Sequence, residues 1–217
     1  MNLESSTHVD DGRWHERWMR GLAPIEAGRR FLIIPGKASP EAAGGSRAGI
    51  VMVPGQAFGT GEHATTRMCV ELLEECVVPG DALLDVGTGS GILAIAARML
   101  GASSVLAIDI DPVAVEVAAR NARANQVRGV LFAACGLEAL APREADVVVA
   151  NLYGATIVRL MREIARRATR DIVLSGFDTG DEHAVIESAA SHGLMAEARL
   201  EREGWVAVRC RRRADGI

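Results

Sequence analysis

Asp85-Val86-Gly87-Thr88-Gly89-Ser90-Gly91 is the stretch on which the reading of this 217-residue chain turns. It follows a short apolar run, Ala82–Val86, and opens a helical pattern over Gly91–Leu100. Strand, glycine turn and helix in that order form the setting in which a nucleotide-like ligand is cradled. Glycines permit the tight turn and let the backbone come close to a ligand. A dinucleotide fingerprint would put its third glycine where Ile92 stands, whereas the third glycine here is Gly91, one residue early. The stretch also starts on a carboxylate. Asp85 is awkward beside a pyrophosphate and suits a ligand with an ammonium group. An ordinary glycine-rich turn is the plainer alternative.

S-adenosylmethionine carries an ammonium and a sulfonium and no phosphate, so Asp85, Gly87, Thr88, Gly89 and Gly91 are candidate contacts for it. A second element strengthens this. Asp109 ends the next apolar run in Ala107-Ile108-Asp109-Ile110-Asp111-Pro112. An acid at that strand end, about 20 residues past the turn, can accept both ribose hydroxyls, with Ile110 beside it; a solvated strand end is the plainer alternative. Asp111 before Pro112 reads as a helix N-cap with Pro at the first helical position. The third strand end, Ala134-Cys135-Gly136-Leu137-Glu138, offers Glu138 or the backbone near Cys135 to an adenine. The fourth ends in Ala150-Asn151-Leu152-Tyr153-Gly154, which places the Asn151 amide where parallel sheets bind ligands. Asn151 either faces the reacting groups or caps the next helix. Tyr153, the only tyrosine, either walls the transfer site or packs.

Outward from the turn, apolar runs of strand length alternate with helical patterns. Strands are expected at Ala82–Val86, Ser104–Asp109, Val130–Ala134, Asp146–Ala150 and Asp171–Ser175. Helices are expected at Gly91–Leu100, Pro112–Asn125, Ala155–Ala168 and Glu182–His192. Leu194–Leu200 and Trp205–Cys210 form a closing hairpin around Arg202-Glu203-Gly204. This alternation predicts an α/β fold with a mostly parallel sheet and helices on both faces. Nearly all-apolar strands such as Val147-Val148-Val149-Ala150 suit a sheet covered on both sides. Upstream, a helical pattern with Trp14, Trp18 and Leu22 on one face covers Arg13–Leu22, and Arg30–Pro35 and Gly49–Pro54 read as strands.

Composition narrows the classes. Apolar residues at 49% and charged residues at 24% are globular values, which exclude a disordered or collagen-like chain. No apolar run approaches the roughly 20 residues of a membrane-spanning helix. The polar start, Met1–Asp11, lacks the features of a secretion signal. Cys69, Cys76, Cys135 and Cys210 lie far apart without a Cys-x-x-Cys, so neither a zinc site nor a disulfide framework is expected, and a reducing cytoplasm fits. A net charge of -4 argues against direct nucleic-acid binding. The basic tail Arg209-Cys210-Arg211-Arg212-Arg213 reads as a solvated end rather than an RNA site.

A family resemblance now enters. Pro54-Gly55-Gln56-Ala57-Phe58-Gly59-Thr60-Gly61-Glu62-His63-Ala64-Thr65-Thr66 resembles the cofactor-proximal loop of the PrmA family, which methylates ribosomal protein L11 of the large subunit. The glycine turn, the Asp109 strand end and Val147–Asn151 follow at the family's spacing. Glu62 and Ala64 depart from it, where Thr and Pro are usual. The resemblance implies a class I S-adenosylmethionine-dependent methyltransferase with a Rossmann-like, seven-stranded sheet. It implies cofactor contacts from Phe58, Gly59, Thr60, Gly61, Thr66, Gly87, Asp109 and Asn151. It also implies a protein substrate, a large-subunit ribosomal protein, methylated on lysine or amino-terminal nitrogen. Asn151 and Tyr153 are the expected catalytic residues. His63 is expected to be a loop residue bonded to backbone rather than a base, since methyl transfer needs little proton work. Residues 1–54 are expected to be a polar start, linker helix and lead-in strands, and 55–217 the catalytic domain. The family's separate N-terminal domain, which captures the ribosomal protein, is expected to be absent. The alternatives are a methyltransferase of this fold acting on another protein or a small molecule, and a non-catalytic binding module, against which the intact turn and Asp109 both speak.

Overall fold

The computed structural model describes residues 23–36, 45–53, 61–140 and 145–212. The helix expected at Arg13–Leu22 lies outside them, as do Phe58, Gly59 and Thr60. Two sheets are present. The smaller joins β1 (Ile25–Ala27), β2 (Phe31–Pro35) and β3 (Ala48–Met52); β1 runs antiparallel to β2, and β2 parallel to β3. Strand β1 has only three residues, too few for any alternation to be seen in the sequence.

Helix α1 (Ala64–Cys76) leads into the larger sheet. Its chain order is β4 (Ala82–Val86), α2 (Ile92–Leu100), β5 (Ser104–Asp109), α3 (Pro112–Ala124), β6 (Val130–Ala134), β7 (Ala145–Asn151), α4 (Gly154–Ala165), β8 (Ala168–Asp178), α5 (Glu182–Ser191), β9 (Leu194–Arg202) and β10 (Trp205–Arg212). In space the strands run β6-β5-β4-β7-β8-β10-β9. The first five are parallel. Strand β10 slots antiparallel between β8 and β9, which is the expected closing hairpin.

The period of two explains why the central strands are apolar throughout. Leu83, Val147, Val149 and Val173 point into one core with α1, α2 and the small sheet. Leu84, Val86, Val148, Ala150 and Leu174 point into a second core with Ile157, Leu160, Met161 and Ile164 of α4 and Val185 of α5. Successive side chains thus find apolar partners on opposite faces, the condition for a fully covered parallel sheet. Ala27, Phe31, Ile33, Ile50 and Met52 of the small sheet share the first core. Glu74 of α1 fastens that sheet, accepting the N–H groups of Arg29 at 2.7 Å and Arg30 at 2.8 Å.

The bounds of the expected elements shift by three residues at the end of α4 and at both ends of β8, and by two or fewer elsewhere. Helix α4 stops at Ala165, three residues early. Arg167 is buried there and donates to the carbonyls of Leu137 at 3.0 Å and Leu140 at 3.1 Å, and to Glu163, which turns the chain directly into β8. Strand β8 is correspondingly long, 11 residues. Its ends are held by ladder pairing, Ala168 with Ala145 of β7 and Phe177 and Asp178 with β10, and hydrophobic periodicity cannot report those.

Asp171, near the start of β8, is fully buried and accepts from Arg170 Nε and Arg211 Nε, both at 2.9 Å. Arg170 in turn makes a two-pronged pair with Asp81, at 3.0 and 2.6 Å. Asp171 lies four residues before Ser175, the partner of Asn151, about 13 Å down the strand at a rise of ~3.3 Å per residue. Removing one partner of a buried charge cluster leaves the others uncompensated. Urea unfolding of Asp171→Ala is therefore expected to show a loss of ~3 kcal/mol, and a loss below about 1 kcal/mol would place the cluster with exposed surface pairs instead.

Candidate functional site

Strand β4 lies between β5 and β7, so the chain leaves it toward one edge of the sheet and returns through β7 toward the other. At such a switch point the crossovers diverge and a crevice opens beyond the carboxyl ends of the strands. A cavity of about 690 Å³ occupies that place. Among its lining residues are six of the expected ones: Gly87, Gly89, Asp109, Ile110, Asn151 and Tyr153.

The glycine turn is held by backbone bonds. The N–H groups of Gly87 and Thr88 both donate to Ile108 O at 2.9 Å, which ties the turn to β5. Gly87 has φ +75°, and a Cβ there would collide with the Leu152 side chain. Gly91 caps α2 at φ +85°, and a Cβ would come 2.9 Å from that of Ala118 on α3. Gly91 is thus a packing residue beneath the turn and not part of the cavity lining.

Asp109 is aimed by two amides. Gly89 N–H donates to Oδ2 at 2.9 Å, and Asp111 N–H to Oδ1 at 3.0 Å. Each oxygen keeps a lone pair for a further donor, so the carboxylate can accept a pair of neighbouring hydroxyls. Asp111 caps α3 as expected, accepting Val113 N–H at 2.9 Å. Cys135, Gly136, Leu137 and Glu138 all border the cavity, so both adenine alternatives at the third strand end are positioned there.

Asn151 closes β7, and its Nδ2 faces Thr66 Oγ1 at 3.5 Å, the outer limit of a hydrogen bond. It does not cap α4, whose N-cap is Tyr153, with no side-chain bond. Thr66 itself is buried on α1. Tyr153 stands at the mouth and is 79% exposed. His63 caps α1: its Nδ1 accepts Thr65 N–H at 3.4 Å and lies 2.8 Å from Thr65 Oγ1. Its ring also meets Trp205 edge-on at 4.7 Å, and both rings line the cavity. Trp205, Thr156, Arg159 and Gly176 belong to the wall as well, and no motif announced them. In the sequence Trp205 is legible as the aromatic that ends Glu201-Arg202-Glu203-Gly204-Trp205, a run resembling the family's last hairpin, with no site role attached to it. Gly61 is buried at φ +90° beside Ile33 and Ile92. Among the described residues no cluster of ligating side chains could hold a metal ion, and no helix is long and apolar enough to cross a membrane.

Asp85 and Thr88 lie under the turn, outside the cavity lining. Thr88 Oγ1 donates to Asp85 Oδ2 at 2.7 Å, while Oδ1 is buried without a hydrogen-bond partner. Complete burial pushes the Asp85 carboxyl up from its ordinary 3.8 to about 7; Asp109 adds to the rise, and the Thr88 hydroxyl and a looser approach of the Ala94 amide oppose it. A carboxyl with a raised pKa in the folded state binds its proton more tightly there than in the unfolded chain. Its contribution to stability is complete below about 3.8 and is lost as pH rises to about 7. Thermal melts of wild type and Asp85→Asn across that window are expected to diverge, with only the wild type losing stability through this group; parallel curves would refute the shift.

The comparisons with known proteins follow this geometry. Residues 2–213 match the family model described as Ribosomal protein L11 methyltransferase (PrmA). A ribosomal protein L11 methyltransferase of Symbiobacterium thermophilum is 39% identical over 204 residues, covering 92% of this chain and 66% of that relative. One from Anoxybacillus flavithermus is 38% identical over 209 residues, covering 95% and 67%. The chain thus spans about two thirds of the length of these curated relatives. The crystal structure of a ribosomal protein L11 methylase from Lactobacillus delbrueckii subsp. bulgaricus superposes with a TM-score of 0.81 at 28% identity, covering 88% of this chain and all of that one. A magnesium protoporphyrin IX methyltransferase from Synechocystis with bound SAM shares the fold alone, at TM-score 0.58 and 19% identity, covering 71% and 87%. The fold is that of the class I methyltransferases, and a family match along nearly the whole chain makes it a member of the ribosomal protein L11 methyltransferase (PrmA) family.

Proposed function

We propose that this chain is an S-adenosylmethionine-dependent methyltransferase that acts on a lysine or amino-terminal nitrogen of a large-subunit ribosomal protein, in the cytoplasm. The observation that carries the reading is Asp109: its two oxygens are preset by the Gly89 and Asp111 amides and presented at the switch point. The lining also suits this cofactor chemically. One oriented carboxylate, the apolar Ile110 and Leu137 and an uncharged amide at Asn151 surround the space, matching a ribose, an adenine and a sulfonium in turn.

On this reading Asp109 holds the ribose hydroxyls, and Ile110 and Leu137 flank the adenine with Glu138 in reach of its amino group. The backbone of Gly87 and Gly89 runs beside the methionine portion, above Asp85 and Thr88. Family resemblance adds Phe58, Gly59, Thr60, Gly61 and Thr66. Bound S-adenosylmethionine supplies the methyl group: the acceptor nitrogen forms the new N–C bond as the S–C bond breaks, S-adenosylhomocysteine leaves, and the amine proton passes to water. The protein's part is alignment and water exclusion. Asn151 accepts a hydrogen bond from the acceptor amine through its carbonyl and so fixes the direction of the lone pair. His63, Trp205 and Tyr153 wall the acceptor side with rings. Desolvation there lowers the pKa of the amine and favours the neutral nucleophile. Residues 55–217 form the catalytic unit on this reading, with the strands of 1–54 as a lead-in.

Incubating the protein with ribosomal protein L11 and labelled S-adenosylmethionine, with mass spectrometry of the product, tests the activity; an unmodified ribosomal protein beside a labelled protein or small molecule from a lysate would redirect the substrate. Asp109→Ala is expected to weaken S-adenosylmethionine binding about 100-fold, two charge-assisted hydrogen bonds being lost. Wild-type affinity in that folded variant would remove the ribose role. Asn151→Ala is expected to lower turnover more than affinity.

A further inference from the structure

The end of helix α3 carries two buried asparagines, Asn121 in its last turn and Asn125 at its C-cap, that the mechanism above does not use. Both serve β3, which among the described residues pairs only with β2. Asn125 acts as a surrogate strand: its Oδ1 accepts Val51 N–H and its Nδ2 donates to Val51 O, both at 2.7 Å. Asn121 does something different. Its Oδ1 accepts Val53 N–H at 3.0 Å just past β3, but its Nδ2 donates to Ser90 O at 2.8 Å, inside the glycine turn.

Ser90 stands between Gly89, whose N–H aims Asp109, and Gly91, which packs on Ala118 of the same helix. Helix α3 therefore grips the turn from beneath at two points, one of them a hydrogen bond from the Asn121 amide. A turn with three glycines at positive φ has a wide choice of backbone conformations. Something outside it must select one before a ligand arrives, or the ligand bears the cost of ordering it. An amide side chain donates and accepts at once, so Asn121 can hold the turn and β3 together where a carboxylate, which only accepts, could not.

We infer that Asn121 is a positioning residue: it fixes the glycine turn in its binding conformation and thereby sets affinity for the cofactor without lining the cavity. This rests on the cavity being the cofactor site. The test is calorimetric titration of S-adenosylhomocysteine into wild type, Asn121→Ala, Asn121→Asp and Asn125→Ala, with a thermal melt of each ligand-free protein. Asn125→Ala removes a comparably buried amide that touches β3 and not the turn. Both alanine variants are expected to melt at lower temperature. Only the Asn121 variants are expected to lose affinity, by about tenfold, or ~1.4 kcal/mol. Asn121→Asp keeps the shape and the acceptor for Val53, so it reads the turn contact if the alanine variant does not fold. Affinity within twofold of wild type in a folded Asn121 variant overturns the inference, as does an equal loss in Asn125→Ala. Failure of both Asn121 variants to fold also overturns it, because the residue would then be a determinant of the fold rather than of the turn. Wild-type protein that does not bind S-adenosylhomocysteine overturns the cofactor reading itself.

Discussion

Strand β4 pairs in parallel with β5 on one flank and with β7 on the other, and both of its faces are covered by apolar side chains. A strand so enclosed has no free edge or face, so only its ends can reach solvent. The carboxyl end is the one from which the crossovers diverge. The turn after Val86, the acid ending β5 and the amide ending β7 are brought together by sheet topology alone. No side-chain contact is needed to gather them. The same enclosure explains why Asp85, one residue earlier, lies wholly within the protein and holds its proton near neutrality.

The half of the site attributed to the cofactor was legible because backbone geometry builds it. Glycines at fixed spacing after a strand, and an acid at the next strand end, are local patterns. Each has a steric reason that holds whatever the rest of the chain does: φ near +75° at Gly87, and amides from Gly89 and Asp111 onto Asp109. The opposite wall is made by His63, Tyr153 and Trp205, which come from a helix cap, a helix entry and the last hairpin. Nothing local marks them as neighbours. His63 and Trp205 meet, and share a cavity with Tyr153, because β10 lies antiparallel against β8, a non-local pairing that brings Trp205 opposite Asp178. For Asn151 the sequence favoured a cavity residue and left a cap as the plainer alternative, and only the start of α4 at Gly154, with Tyr153 before it, separates them.

The fold errors share a cause. The polar ends of β8 and the early stop of α4 both depend on hydrogen bonds between distant residues rather than on a periodic apolar face, while β1 is too short to show one. Arg167, fixed by carbonyls some 30 residues away, ends a helix that the amino-acid pattern alone would have continued. Hydrophobic periodicity reads the two cores accurately because the cores produce it. It carries no information about where a buried cation finds its acceptors.

Charge is distributed along the sheet axis in a way that separates stability from chemistry. The dense network of Asp81, Arg170, Asp171 and Arg211 occupies the amino end of β8 and its neighbours, where it locks the inserted β10 in register. At the carboxyl end Asp109 has neutral partners instead, the backbone amides of Gly89 and Asp111. A guanidinium there would satisfy it more strongly and would also compete with the hydroxyls it holds on the proposed reading. Neutral donors orient a carboxylate while leaving its charge available. The buried Asp171 cluster thus stands where rigidity is the demand, and Asp109, held only by amides, keeps lone pairs for an incoming group to use.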